Sequence, residues 1–414
     1  MSRRVVVTGL GAVTPCGLDV GATWAAMCAG RSGVSTITRF DASALPVRIA
    51  AEVRQFDAEQ RLGRKTARRM DRFTQFAAVA AYEAMQHAGL TVGGPPNPRL
   101  GVYLGTGIGG LGEVEEGTRV FDREGYKGMS PFFIPRALTN MAAGHVAMAV
   151  GAQGPSLCVS TACATGNHMI GEAARAIRAG DADVIIAGGS EAALSAVAVA
   201  GFLVMKALSR RNDDPTTASR PFDADRDGFV MGEGAGVLIL EALEHARARG
   251  AQIFAEIVGY GLTNDAHHDT APAPGGAGAV RCMRMALAGS GLTPEDIDYI
   301  NAHGTSTPYN DSAETEAIKT VFGAHAARLA VSSTKSVTGH LLGAAGGVEA
   351  VATVLALHSG IVPPTANYRT PDPACDLDYV VEGARLARPR AALSNAFGFG
   401  GANATLAFRR FEEG

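Results

Sequence analysis

The 414-residue sequence lacks the marks of several large protein classes. Its six cysteines (Cys16, Cys28, Cys158, Cys163, Cys282 and Cys375) contain no C-x-x-C pair. That spacing disfavours a zinc site and a disulfide framework alike, so no metal is expected. Most should be buried small hydrophobes, leaving one or two for chemistry. Charge of one sign is missing too, with 37 Lys and Arg against 40 Asp and Glu and a net −3. Such a balance suits a folded globular chain and gives no general attraction to nucleic acid. No apolar run nears the ~20 uninterrupted residues of a membrane helix. The start, Met1-Ser2-Arg3-Arg4 and then Val5-Val6-Val7, has the basic opening of a signal peptide, but the run stops at Thr8-Gly9-Leu10-Gly11. It reads as a strand and a turn in a cytoplasmic protein without a membrane partner.

What is abundant is glycine, 52 residues, punctuating short Val/Ile/Leu runs and Ala-rich stretches. The alternation predicts an α/β fold with buried strands. Strands are expected at 3–8, 100–104, 184–187, 237–240, 254–258 and 297–301, and helices at 67–87, 167–179, 277–290 and 340–358. The segment Leu157-Cys-Val-Ser-Thr-Ala-Cys163 resembles Leu329-Ala-Val-Ser-Ser-Thr-Lys335 at an offset of 172, which pairs Cys163 with Lys335. Val5-Val-Val-Thr-Gly-Leu-Gly11 similarly echoes Ala255-Glu-Ile-Val-Gly-Tyr-Gly261. The chain therefore reads as two related halves, 1–250 and 251–414.

Cys163 stands in Ser160-Thr-Ala-Cys-Ala-Thr-Gly166, a small-residue turn entering a helix. Helix-end amides favour a thiolate there by about 0.3–1 kcal/mol when exposed and more when partly buried. An isolated cysteine is more often a buried hydrophobe, so its company decides. That company is Asn301-Ala-His303-Gly-Thr305-Ser-Thr307-Pro308, Ser332-Ser-Thr-Lys335-Ser-Val-Thr-Gly-His340 and Ser394-Asn-Ala-Phe-Gly-Phe399-Gly-Gly401. Each is a polar or Gly-rich turn after an apolar run.

In order and spacing these motifs resemble the β-ketoacyl-[acyl-carrier-protein] synthases, most closely the type II elongating enzymes. The resemblance runs nearly end to end, through Arg220-Pro-Phe-Asp-Ala-Asp-Arg-Asp-Gly228 and Gly339-His-Leu-Leu-Gly-Ala-Ala-Gly346. It implies a thiolase-like fold, duplicated within the chain and layered α-β-α-β-α, a homodimer, no cofactor, and an acyl carrier protein as partner. It implies that Cys163 holds the acyl chain, that His303 and His340 stabilise an enolate, and that the Cys163 and Phe399 amides hold a second oxyanion. Lys335 would keep the imidazoles neutral, with Glu314 and Glu349 as its acidic partners. Thr305 and Thr307 would bind a phosphopantetheine arm, with His268 and Thr270 in a loop near the cavity. Ile108, Phe202 and Leu342 match acyl-pocket positions, Phe133 one contributed across the dimer, and Phe399 a gate. Basic residues Lys65, Arg68, Arg69 and Arg72, extended by Lys127 and Lys206, would steer an acidic carrier protein. Ala396 and Ala402 stand where many relatives have Ser and Thr.

Two motifs are set aside. Gly105-Thr-Gly107-Ile-Gly-Gly110 has the form of a dinucleotide loop but no βαβ continuation to an acidic ribose ligand. Asp223-Ala-Asp225-Arg-Asp227-Gly228 opens like a calcium loop but has Gly234 where a bidentate Glu is required. A Cys–His hydrolase, a polyketide ketosynthase and a non-condensing chain-length partner remain as rival readings.

Overall fold

The computed structural model describes residues 3–412, so Met1 and Ser2 of the basic start lie outside the described residues. The elements that build the site are, in chain order, β1 (Val5–Val13), α1 (Arg72–His87), β2 (Leu100–Gly105), β3 (Ser156–Leu157), α2 (Thr165–Ala179), β4 (Val184–Glu191) and β5 (Gly234–Ala242). They continue with β6 (Ala255–Asn264), α3 (Ala277–Ser290), β7 (Tyr299–Asn301), α4 (Pro308–Phe322), β8 (Ala330–Ser332), α5 (Ala345–Ser359), β9 (Ala391–Phe397) and β10 (Ala402–Arg410).

The ten strands hydrogen-bond in the order β8-β7-β9-β10-β6-β1-β5-β4-β2-β3. Cut between β6 and β1, this becomes two five-stranded sheets in which the first, fifth, fourth, second and third strands follow one another outward. Strand directions repeat as well, since the fourth strand is parallel to the second and antiparallel to the fifth in both sheets. The join is short, Val5 to Val7 against Ile257 to Ala255. Between the sheets lie α2 and α5, each in contact with strands of both halves, while α1 covers β1 and β5 outside and α3 covers β6 and β10. The result is the expected α-β-α-β-α layering of the thiolase-like fold.

Residue chemistry explains the layers. A helix that packs on every side must be apolar or small all round, and α5, Ala-Gly-Gly-Val-Glu-Ala-Val-Ala-Thr-Val-Leu-Ala-Leu-His-Ser, is buried almost throughout. Its Val348, Val351, Val354 and Leu357 each gain about 1.5–3 kcal/mol by leaving water. The stretch Leu342–Ser359 matches a membrane span in length and apolarity, but 83% of it is buried inside the protein.

Three expectations are corrected. Strand β1 does not stop at Thr8; it continues to Val13 past a register shift between Val7 and Gly9. Gly9 and Gly11 are there for close packing, because a Cβ would stand 2.1 Å from Ala84 O and 1.8 Å from Ala80 O of α1. The second half repeats the device, with Gly259 against Ala286 O at 2.2 Å and Gly261 against Cys282 O at 2.0 Å. Second, the helix expected over 67–87 is broken: a short turn of helix ends at Ala67, and Asp71 then caps α1 by accepting the Phe73 amide at 3.1 Å. Third, the structural partner of Cys163 is Gly343, not Lys335. The 3-10 turns Ala162–Ala164 and Leu342–Ala344 each feed a 15-residue helix at an offset of 180. Ala162 and Leu342 share a left-handed φ of 49° and 50°. The second half inserts the small helix Lys335–Thr338 and His340 ahead of this elbow, which an ungapped comparison cannot see.

Candidate active site

The elbow at Ala162 turns Cys163 into a cavity of about 770 Å³ shared by the two halves. Its thiol lies 3.1 Å from His340 Nε2, and the Phe399 amide approaches the sulfur from the Gly-rich turn after β9. The Phe399 turn can come this close because Gly400 and Gly401 take φ of 77° and 73°. Cys163, His303 and His340 place their sulfur and ring nitrogens within 4.8 Å of one another.

His340 is gripped through its backbone, its amide donating to Val230 O at 2.7 Å and its carbonyl accepting from Gly232 at 2.9 Å. The Leu342 amide donates to its Nδ1 at 3.4 Å, which leaves the proton on Nε2, facing the cavity. His303 follows β7, and its ring lies 5.5 Å from that of His340 at 83°. The Lys335 ammonium donates to His303 Nδ1 at 3.4 Å and to its carbonyl at 2.6 Å, so His303 too carries its proton on Nε2. Two neutral N–H donors therefore converge on one region. Burial, and then the charge of Lys335, hold both imidazoles well below their ordinary pKa.

Lys335 is only 1% exposed and forms an ion pair with Glu349. Glu314 is not its partner. Its carboxylate instead accepts the His303 and Gly304 amides at 2.9 and 2.8 Å and the Asn395 amide group at 3.2 Å, fixing the backbone that carries His303. Burial raises Glu314 to about 7.

The expectation of a resident thiolate fails on magnitude. Burial pushes the Cys163 thiol up to about 12, against the pull of Lys335 and the Phe399 amide. Even the ~2 kcal/mol of a favourable partly buried helix end is worth only about 1.5 pKa units and cannot offset it. Burial therefore favours the thiol over the thiolate at Cys163.

Around this centre the cavity is lined by Ile108, Phe202 and Leu342 on one side and by Thr305, Thr307, His268 and Thr270 on another. Phe202 lies 6.4 Å from Phe399, ring to ring. Thr305 and Thr307 bond each other at 2.8 Å, and Thr307 also caps α4 by accepting the Asn310 amide at 3.4 Å. Phe133 does not line this chain's cavity; its ring covers Gly117, where a Cβ would stand 2.3 Å from it. Of the basic residues, Lys206 is at the cavity wall, and Lys65, Arg68, Arg69 and Lys127 are exposed. Arg72 is not free for a partner: it donates to Glu233 at 2.8 and 3.0 Å and to Val53 O at 2.6 Å, with Phe76 under its guanidinium.

Sequence reasoning missed Glu191. It ends β4 and is fully buried, and the dinucleotide-like loop wraps around it, the Thr106 hydroxyl and Gly107 amide both donating at 2.8 Å. The available signal was a carboxylate closing a buried strand, which must find donors.

A cysteine on a strained elbow beneath two neutral imidazole donors is a site for acyl transfer with enolate stabilisation, and the chain belongs to the β-ketoacyl synthase family. Residues 2–246 match that family's N-terminal domain and residues 254–369 its C-terminal domain. Among curated relatives it is 54% identical to the 3-oxoacyl-[acyl-carrier-protein] synthase 2 of Synechocystis over 99% of both chains, and 51% identical to that of Coxiella burnetii over the same shares. It is also similar to a solved complex of a type II PKS acyl-carrier protein with its ketosynthase bound to the hexaketide, at a TM-score of 0.92 and 37% identity over 100% of both chains.

Proposed function

We propose that this chain is a β-ketoacyl-[acyl-carrier-protein] synthase of the elongating, synthase II type. It condenses an acyl group held on Cys163 with malonyl carrier protein, losing CO₂, in fatty acid elongation. The observation that carries this reading is the pair of Nε2–H donors of His303 and His340 beside the Cys163 thiol. A Cys–His hydrolase needs one imidazole that accepts a proton; this site offers two that donate.

In the first half-reaction the Cys163 sulfur attacks the acyl thioester and its proton passes to the departing carrier thiol. The tetrahedral oxyanion is held by the Cys163 and Phe399 amides. In the second, malonyl carrier protein enters along Thr305 and Thr307. Loss of CO₂ moves an electron pair onto the thioester oxygen, where the two imidazoles stabilise it. The resulting carbanion attacks the Cys163 thioester, the new carbon–carbon bond forms, and the Cys163 thiolate leaves and takes up a proton. Lys335 holds His303 in its donor form, and Glu349 balances the buried charge.

The repeated strand order supports 1–250 and 251–414 as the two halves. Fatty acyl over polyketide substrates is supported by 54% identity to a synthase 2 against 37% to the polyketide ketosynthase. The retained Cys163 argues against a non-condensing partner. Exposed apolar side chains at Phe121, Ile134, Met148 and Leu157, the last of them in the edge strand β3, support a homodimer in which Phe133 reaches the partner's pocket. Exposed Lys65, Arg68, Arg69, Lys127 and Lys206 suit an acidic carrier protein, and the cytoplasm is the compartment proposed.

The half-reactions separate by mutation. Cys163→Ala should abolish acyl-enzyme formation and condensation but retain decarboxylation of malonyl carrier protein. His303→Ala should lose decarboxylation by at least ~10²-fold, as when one oxyanion donor is removed. Condensation by the first variant, or unchanged decarboxylation by the second, overturns the assignment.

A further inference from the structure

Glu191 has five donors and no place in the chemistry described so far. Besides Thr106 and Gly107, the Ile108 and Gly109 amides reach it at 3.2 and 3.3 Å. The fifth donor comes from the other half of the chain, the Gly343 amide at 3.1 Å. An acid this deeply buried needs such a cradle to remain in place.

The Gly343 contact links this cradle to the reacting groups. One residue earlier, the Leu342 amide donates to His340 Nδ1, the bond that keeps the proton on Nε2 opposite Cys163. Leu342 has a φ of 50°, a left-handed conformation that costs about 1–2 kcal/mol for a residue with a Cβ. Something must hold that peptide against relaxation. Gly343 also packs tightly against the first half, since a Cβ there would stand 2.1 Å from the Gly107 amide nitrogen and 2.9 Å from the Glu191 carboxylate. The carboxylate therefore bridges the loop after β2 and the elbow before α5.

We propose that Glu191 is a positioning residue for decarboxylation: by gripping the Gly343 amide it holds the Leu342 peptide in its strained turn, so that His340 presents Nε2–H to the substrate. This rests on the reading of His340 as an oxyanion donor. Acyl transfer to Cys163 uses the Cys163 and Phe399 amides instead and depends less on Glu191.

The test compares Glu191→Ala and Glu191→Gln in the full-length enzyme, measuring malonyl-carrier decarboxylation and the acylation of Cys163 by intact mass. Glu191→Ala should lower the decarboxylation kcat about tenfold or more, short of the ~10²-fold loss for removing a donor outright. The KM for malonyl carrier protein should hold, and acylation should stay within about threefold. Glu191→Gln keeps the volume and one acceptor oxygen, so it should restore part of the loss; if the alanine variant does not fold, the same selective fall in the glutamine variant decides. Parallel loss of both half-reactions, or loss of neither, overturns the proposal. His340→Ala is run alongside: if it decarboxylates normally, the reading of His340 has failed, whereas an inactive His340→Ala with a normal Glu191→Gln and Glu191→Ala refutes the role of Glu191 alone.

Discussion

Replacing Lys335 by methionine removes one charge from a buried part of the site while keeping most of the length of the side chain. Glu349 then loses its cation at Oε1, and its buried Oε2 has no hydrogen-bond partner. Breaking a buried pair from one side costs about 3–5 kcal/mol. Burial already raises the Glu349 pKa, so proton uptake relieves part of the stranded charge and favours the lower end. A chain of this length unfolds with an entropy near ~0.9 kcal/mol/K, so Tm should fall by about 3–6 °C. Activity should respond separately. Without the ammonium, His303 Nδ1 has lost its donor, and the neutral ring is free to carry its proton on Nδ1 and turn a lone pair toward the enolate. Decarboxylation should fall about tenfold or more, toward the loss for a missing oxyanion donor. The pH response carries the sign. Burial first, and then Lys335, disfavour the His303 imidazolium, so removing Lys335 raises the His303 pKa while burial still holds it down. The imidazolium regains an Nε2–H, and the variant should recover part of its rate only toward the acid end of the profile, where the wild type shows no recovery. Calorimetry and a decarboxylation profile from pH 8 to 5.5 read both effects. An unchanged Tm with an unchanged profile would refute the account of Lys335.

Two further outcomes follow. Because burial holds the Cys163 thiol at about 12, its alkylation by iodoacetamide should rise about tenfold per pH unit up to pH ~10, since only the thiolate reacts; a plateau near neutrality would contradict a resting thiol. Charge reversal at Lys65 and Arg69, both exposed, should raise KM for carrier-protein substrates, more at low salt than at high, and an unchanged KM would remove these residues from the docking surface.

The residues proposed to do the chemistry were legible because each sits in a short contiguous motif. Cys163, His303 and His340 carry the same neighbours in the sequence as in the site. What was not legible depends on contacts between distant segments. Glu191 draws its donors from residues 106–109 and 343, and nothing beside it in the sequence points to either. Gly9 and Gly11 look like a turn because their reason, the carbonyls of Ala84 and Ala80 on α1, lies some 70 residues away. Arg72 continued a basic stripe in sequence, but its helix begins only after the Asp71 cap and turns the guanidinium to Glu233. The repeat was visible, but its pairing was displaced by the segment that carries Lys335 and His340. The resting state of Cys163 required its burial, which a sequence does not state.

The most direct test of the account is a single turnover of enzyme acylated on Cys163 and freed of the first carrier. On mixing with malonyl carrier protein, each acyl-enzyme consumed should yield one CO₂ and one β-ketoacyl carrier protein, with Cys163 returned to the free thiol. Release of the acyl group as free acid, with malonyl carrier protein left intact, would contradict it.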